Sequence, residues 1–273
     1  MKRLLTLLIF CLFRGPIALC MFEELSEALN EEMQTQRIKK HYRDQKLILA
    51  AQKGQNELIR ELLVDGADIE AHDFHGHRPL HTAARFNQVH AINELLDRGA
   101  LLEGQGSGGE TPLHGAASCN HEPACGYLLA RGASKEARDR NGSTPLHYAA
   151  ANNSVEVIRL LKACGADVNA LNKRRMTPLH WAVISHESFR NNCLDAIKCL
   201  IELGADLEAQ NVNNENALKL AFDPARKALL EGYYRELAKR RFWAYVSLKK
   251  QALFPYLVLP REICRFIAKK VTL

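Results

Sequence analysis

From residue 47 onward the apolar positions come in two kinds of burst that alternate along the chain. One is a compact block of small and aliphatic residues, such as Leu80, Ala83 and Ala84, introduced by Arg78-Pro79. The other is a spaced set, such as Val89, Ile92, Leu95 and Leu96, whose intervals place the side chains on one helix face. Between one such pair of bursts and the next lie polar stretches with turn residues: Asp73 and Gly76, Gly106 and Gly109, Asp139 and Gly142. The pattern predicts pairs of short helices joined by turns. A pair this short cannot cover its own apolar face, so it must be covered by its neighbours.

The pairs repeat. Arg78-Pro79-Leu80-His81 returns as Thr111-Pro112-Leu113-His114, Thr144-Pro145-Leu146-His147 and Thr177-Pro178-Leu179-His180, 33 residues apart each time. Gly66-Ala67, Gly99-Ala100, Gly132-Ala133 and Gly165-Ala166 keep the same beat, and Gly204-Ala205 follows 39 residues later. The six extra residues fall around His186 to Asn192, between the two helices of that repeat. Ala83-Ala84, Ala116-Ala117 and Ala149-Ala150 supply a third marker in register. Thr before Pro reads as a helix N-cap followed by the first helical residue, where the fixed φ of proline helps and its missing N–H costs nothing. The Ala pair thins one helix face for close approach, and the Gly ends the second helix in a left-handed conformation.

The period, the Thr-Pro-Leu-His string and the Gly-Ala helix ends resemble ankyrin repeats over residues 44–240. The resemblance implies an all-α fold: an ankyrin-repeat solenoid of stacked helix-turn-helix units with β-turn tips, plus a helical C-terminal extension. Leu47 to Ala71 resemble a degenerate first repeat and Asn216-Ala217-Leu218 begin a last one, as capping units would. Arg78 stands where Thr is usual and Arg175 where the turn Gly is usual, so those two turns are expected to be distorted. His81, His114, His147 and His180 are too far apart in a stack to share a metal or a reaction. By resemblance they hydrogen-bond neighbouring turns.

The resemblance also implies a protein partner, of unstated identity, held by the turn tips and the concave face where repeats differ from one another. The corresponding positions are Phe74, His75 and His77 on one turn, then Ser107 and Glu110. They continue with Arg140, Asn141 and Ser143, and with Lys173, Arg174 and Met176. Arg85, Phe86 and Asn152 follow the Ala pairs. Phe74, Phe86 and Met176 are the expected apolar anchors.

Chemistry is not expected. No phosphate loop, GxSxG elbow or HExxH is present, and Gly104 to Gly109 reads as an inter-repeat turn. Cys119, His121 and Cys125 lack the CxxC spacing of a zinc site, so no metal, cofactor or catalytic residue is expected. Of the eight cysteines, Cys11 and Cys20 fall in the first twenty residues, and most of Cys119, Cys125, Cys164, Cys193, Cys199 and Cys264 read as small buried apolar groups. Cys193–Cys199 and Cys119–Cys125 bridges stay open as alternatives.

The two ends read differently from the repeats. Lys2 and Arg3, the apolar run Leu4 to Phe13, and Arg14-Gly15-Pro16 before small residues have the layout of a secretory signal peptide over residues 1–20. Cleavage would fall near Ala18 or Cys20. The run is too short for a permanent membrane span. Export is the expectation, with a buried N-terminal helix and a cytoplasmic protein as the alternative. Residues 21–43 are a helical segment.

The net charge of +6 is concentrated at the other end: Lys219 to Leu273 hold 13 Lys/Arg against 4 Asp/Glu, leaving −3 for the rest. Nucleic acid is therefore not an expected partner, and a monomer is expected. Ala225 to Ala252 reads as one or two basic helices whose aromatics, Tyr233, Tyr234, Phe242, Trp243 and Tyr245, are expected to pack inward as a cap. A grip on nucleic acid or an anionic surface beside Lys239, Arg240 and Arg241 is the alternative. Within the extension at 241–273, Leu259-Pro260-Arg261-Glu262-Ile263 opens an amphipathic helix that Ile267 continues. Residues 257–273 resemble the F-box-like (PRANC) ends of poxviral and some symbiont ankyrin proteins. That likeness implies ubiquitin-ligase components docking on Leu259, Pro260, Glu262, Ile263 and Ile267, and, with the leader, action inside a host cell.

Overall fold

The computed structural model describes the backbone of residues 16–185 and 194–253, and the side chains of 32–185 and 194–244. All regular structure among these residues is helical. The helices are α1 (Pro16–Lys53), α2 (Asn56–Val64), α3 (Pro79–Arg85), α4 (Val89–Asp97), α5 (Pro112–Ser118) and α6 (Glu122–Ala130). They continue with α7 (Pro145–Ala151), α8 (Val155–Ala163), α9 (Pro178–Ile184), α10 (Leu194–Glu202), α11 (Ala217–Leu220) and α12 (Pro224–Leu253). The six-residue insertion expected near His186 to Asn192 lies outside the described residues.

Local chemistry sets the helix limits. Pro79, Pro145 and Pro178 each stand at a first helical position. The second helix of each pair ends on the Gly-Ala marker. Gly99, at φ +92, donates its N–H to Leu96 O at 3.0 Å, and Ala100 donates to Leu95 O at 2.9 Å. That pair of crossed bonds satisfies two carbonyls that a helix end would otherwise leave unpaired. The glycine supplies the backbone angle and the buried alanine closes the end.

Two compact units form. The first runs to Ala116 and includes Pro123–Ala133; the second holds Ala117–Glu122 and everything described from Ser134 onward. In the first unit α1 packs on α2 and α3, α3 on α4, and α2 on α4. In the second, α7 packs on α8 and α9, α9 on α10 and α11, α8 on α10, and α12 on α10 and α11. Each unit is thus two ranks of helices lying side by side. Leu80, Ala83 and Ala84 in one unit, and Leu146, Ala149 and Ala150 in the other, are buried where the first rank stacks. The spaced sets (Ile92 and Leu95; Ile158 and Leu161) are fully buried beneath the second rank.

The first and last helices run through the expected segment limits. α1 continues across residues 20 and 43, and Pro16 is its first residue. Its last turns, with Leu47, Ala50 and Ala51 buried, act as the first helix of the opening repeat. α12 is a single helix that passes residue 240 unbroken. Asp223 Oδ2 caps it by accepting from Arg226 N–H at 2.8 Å. Leu230 is buried, Arg226 donates to Val183 O and Ser185 O at 2.8 and 2.7 Å, and the Tyr234 hydroxyl donates to Leu207 O. These contacts dock the first half of α12, and Arg241 adds an ion pair to Glu208 at 3.1 Å. Trp243 stays 54% exposed, against the expectation that the aromatics pack inward. No helix among the described residues is long and apolar enough to cross a membrane.

Candidate protein-binding surface

The turns before α3, α7, α9 and α11 are each built by one side-chain oxygen, whereas the turn before α5 has Gly106 at that position and is closed by backbone bonds, Gly106 N–H to Glu110 O at 2.8 Å and Gly109 N–H to Gly106 O at 3.0 Å. Asp73 Oδ1 accepts the backbone N–H groups of His75 and His77, both at 2.8 Å. Asp139 Oδ1 does the same for Asn141 and Ser143, Asn172 Oδ1 for Arg174 and Met176, and Asn211 Oδ1 for Asn213 and Glu215. The turns are also tied to one another through backbone. Ser107 N–H donates to His75 O at 3.3 Å, Lys173 N–H to Asn141 O at 2.9 Å, and Val212 N–H to Arg174 O at 3.0 Å. Side chains at the tips therefore project from a fixed frame.

The recurring histidines complete that frame. His81, His147 and His180 donate from Nε2 to Glu110 O (3.0 Å), Met176 O (2.9 Å) and Glu215 O (3.2 Å), each on the following turn. A carbonyl only accepts, so Nε2 carries the proton and Nδ1 is free to accept. It does so from the N–H of the N-cap residue: Arg78 to His81, Thr111 to His114, Thr144 to His147 and Thr177 to His180, at 3.1–3.3 Å. A second proton would set donor against donor. Burial first, with neighbouring His77 and Arg78, lowers His81 to about 4, and burial lowers His180 as well.

Neither arginine distorts its turn. The backbone of Arg78 (φ −84°, ψ 166°) matches that of Thr144 and Thr177, because the bond to His81 uses the main chain. The guanidinium turns away to pair with Glu70 at 3.0 Å. Arg175 takes φ +56°, and its N–H still donates to Asn172 O at 2.9 Å. The turn is kept at the cost of a left-handed non-glycine residue.

In the first unit Phe74 is 91% exposed, and the ring of exposed His75 lies 4.5 Å from it. His77 and Glu110, expected to face a partner, instead face each other: His77 Nε2 lies 3.2 Å from Glu110 Oε1 and its Nδ1 3.6 Å from Asp73 Oδ2, all half-buried. The Gly-rich turn before Glu110 makes this possible. A Cβ on Gly106 or Gly108 would stand 2.9 or 2.5 Å from the Glu110 carboxylate, so the glycines leave it room where a larger residue would make that side chain shift. Arg85 is exposed and Phe86 is 45% exposed at the end of α3.

In the second unit Arg140, Asn141, Lys173 and Arg174 are exposed, and Arg175 joins them. Asn152 is exposed but donates to Tyr148 O at 2.9 Å. Met176 is corrected: at 8% exposure it is a core residue, fixed by its N–H to Asn172 and its carbonyl to His147. Ser143, at the equivalent position, is also buried, whereas Ser107 is exposed. Half-buried Tyr148 and Trp181, 33 residues apart, bring their rings to 5.5 Å on the first-rank faces of α7 and α9.

A second set of ties went unread in the sequence. Asn87, Asn120 and Asn153 all take φ near +56° between the helices of a pair. Their Oδ1 atoms accept from the following repeat's Ala124 N (3.2 Å), Val157 N (3.4 Å) and Ala196 N (2.8 Å). The signal was there, as an asparagine at the 33-residue beat.

Cys119, Cys164 and Cys199 are free thiols, so Cys119 and Cys125 are not bridged. Cys193 lies outside the described residues, as do Leu259, Pro260, Glu262, Ile263 and Ile267. Among the described residues no three His, Cys, Asp or Glu side chains converge as metal ligands. The family model described as "Ankyrin repeats (3 copies)" matches residues 47–139 and 132–211. No curated protein matches the chain.

Proposed function

The chain belongs to the ankyrin-repeat family, and on that premise we propose a scaffold without chemistry of its own that holds a partner protein through its turn tips. Ankyrin repeats are typically non-catalytic binding modules. One observation carries the reading: outward side chains such as Phe74, Arg140, Lys173 and Arg174 stand on turns whose backbone is held by a side-chain oxygen, and Phe86 is exposed at the end of α3. Side chains on a rigid frame lose little freedom on binding, and exposed aromatic and Arg groups supply the strongest contacts. The test is affinity capture with wild type and with Phe74→Ala/Phe86→Ala. Reduced capture with unchanged helical circular dichroism supports the reading; equal capture places the partner on another face.

Two further proposals rest on sequence alone. The Leu259-Pro260-Arg261-Glu262-Ile263 string suggests a ligase adaptor, which requires that deleting 257–273 remove ligase components while target capture survives. The Lys2 to Cys20 layout suggests export, which a secretion reporter fused to residues 1–20 would test.

A further inference from the structure

The tip cations of the second unit, Arg140, Lys173, Arg174 and Arg175, are exposed and have no charge partner among the described residues. Elsewhere the chain pairs its arginines readily: Arg60, Arg78 and Arg98 in the first unit, and Arg159 and Arg241 in the second, each have a carboxylate partner. The bond from Lys173 N–H to Asn141 O brings the two turns together, so four like charges are held side by side. The nearest carboxylates do not answer them. Asp139 is buried under the N–H groups of Asn141 and Ser143 and the Tyr148 hydroxyl, at 2.9 Å. Glu215 is occupied by the amides of Asn211 and Asn213.

A second observation is independent of charge. Gly76, Gly109 and Gly142 occupy the left-handed position of their turns and Asn214 that of the last, but here it is Arg175. A left-handed arginine is strained, and among the described residues no carboxylate pairs with its guanidinium to offset that strain. Strain at an exposed binding turn is where function is sought first. Beside these turns α7 and α9 carry the half-buried Tyr148–Trp181 pair, an apolar seat next to the charges.

We propose that Arg140, Lys173, Arg174 and Arg175, flanked by Trp181, dock an acidic segment of a partner protein that also carries an aromatic or aliphatic side chain. This deepens the protein-binding reading and rests on it. Arginine forks hold carboxylates in fixed geometry, and complementary charge speeds encounter. Nucleic acid suits the site less well, because its affinity at physiological salt is built from phosphate contacts along a track, whereas these cations occupy two adjacent turns.

The test uses the full chain and three labelled probes: a Glu/Asp-rich peptide with one Phe and one Leu, its Gln/Asn counterpart, and single-stranded oligothymidine. The acidic peptide should bind, weaken as salt rises, and lose roughly tenfold or more in affinity to Arg140→Gln/Lys173→Gln/Arg174→Gln. Arg175→Gly should weaken binding about two- to threefold while raising the thermal midpoint, a combination that damage to the fold would not give. Equal binding of the Gln/Asn peptide, no effect of the charge substitutions, or tighter binding of oligothymidine would overturn the proposal. So would self-association abolished by the same substitutions, which would hand the row to the chain's own Glu23–Glu32 run. If the acidic peptide fails to bind while the wild-type chain and the triple variant still capture protein, this inference falls and the scaffold reading stands; a wild-type chain that captures no protein removes both.

Discussion

The turn at Asp73–His77 and the turn at Asn172–Met176 share one backbone and use it in opposite ways. In each, a side-chain oxygen collects two N–H groups and a left-handed residue, Gly76 at φ +75° or Arg175 at φ +56°, reverses the chain. In the first turn the charged groups look inward: His77 sits between Asp73 and Glu110, and only Phe74 and His75 are left outside. In the second, the inward position is filled by Met176, and three consecutive cations point out. The scaffold is set by the repeated residues, while the residue just before the N-cap decides whether a turn spends its polar groups on itself.

The widest separation is expected between the left-handed glycine of the Asp73–His77 turn and that of the Asp139–Ser143 turn, which neighbours the Asn172–Met176 turn. A Cβ on Gly76 would meet Ser107 N at 2.6 Å, so Gly76→Ala should cost ~2–4 kcal/mol by chemical denaturation. Gly142→Ala, whose Cβ would lie 3.2 Å from Lys173 N, should cost ~1–2 kcal/mol. Equal costs would show that the Gly76 turn can relax.

Acid should act next most strongly. Folded His81 titrates at about 4, below its ordinary 6.5, so in acid the unfolded chain takes the proton first. Its contribution is complete above pH 6.5 and is lost as pH falls toward 4, about 2 kcal/mol by pH 5 from His81 alone. Depressed His180 adds loss of the same sign. A His81→Leu variant should flatten this pH dependence; an unchanged slope would assign it elsewhere.

Arg175→Gly comes third, with a gain of up to ~1 kcal/mol as the left-handed strain is relieved against added chain entropy. A loss of stability would mean that Arg175 makes a stabilising contact. Phe74→Ala is the smallest, within about ±0.5 kcal/mol, because so exposed a ring contributes little to folding. A larger loss would make Phe74 part of the fold.

The frame was legible because its determinants are local. Proline at the first helical position, the Gly-Ala helix end and the inter-turn histidine each act through residues close in sequence or one repeat away. The site was less legible, since exposure at a tip depends on which N–H the turn oxygen captures. Met176 and Ser143 looked like tip residues by position, yet their N–H groups are the second of each captured pair, which turns them inward. Arg78 and Arg175 looked disruptive because they replace familiar residues, but the turn needs a main-chain N–H at one and a backbone angle at the other. The asparagine ties at 87, 120 and 153 were missed because an exposed loop asparagine looks like any polar loop residue until its partner is placed.

Amide hydrogen exchange on the chain bound to a captured partner tests the central assignment most directly. Protection gained at 139–142 and 172–175, with α8 and α10 unchanged, is the predicted footprint. Protection confined to α8 and α10 would contradict it.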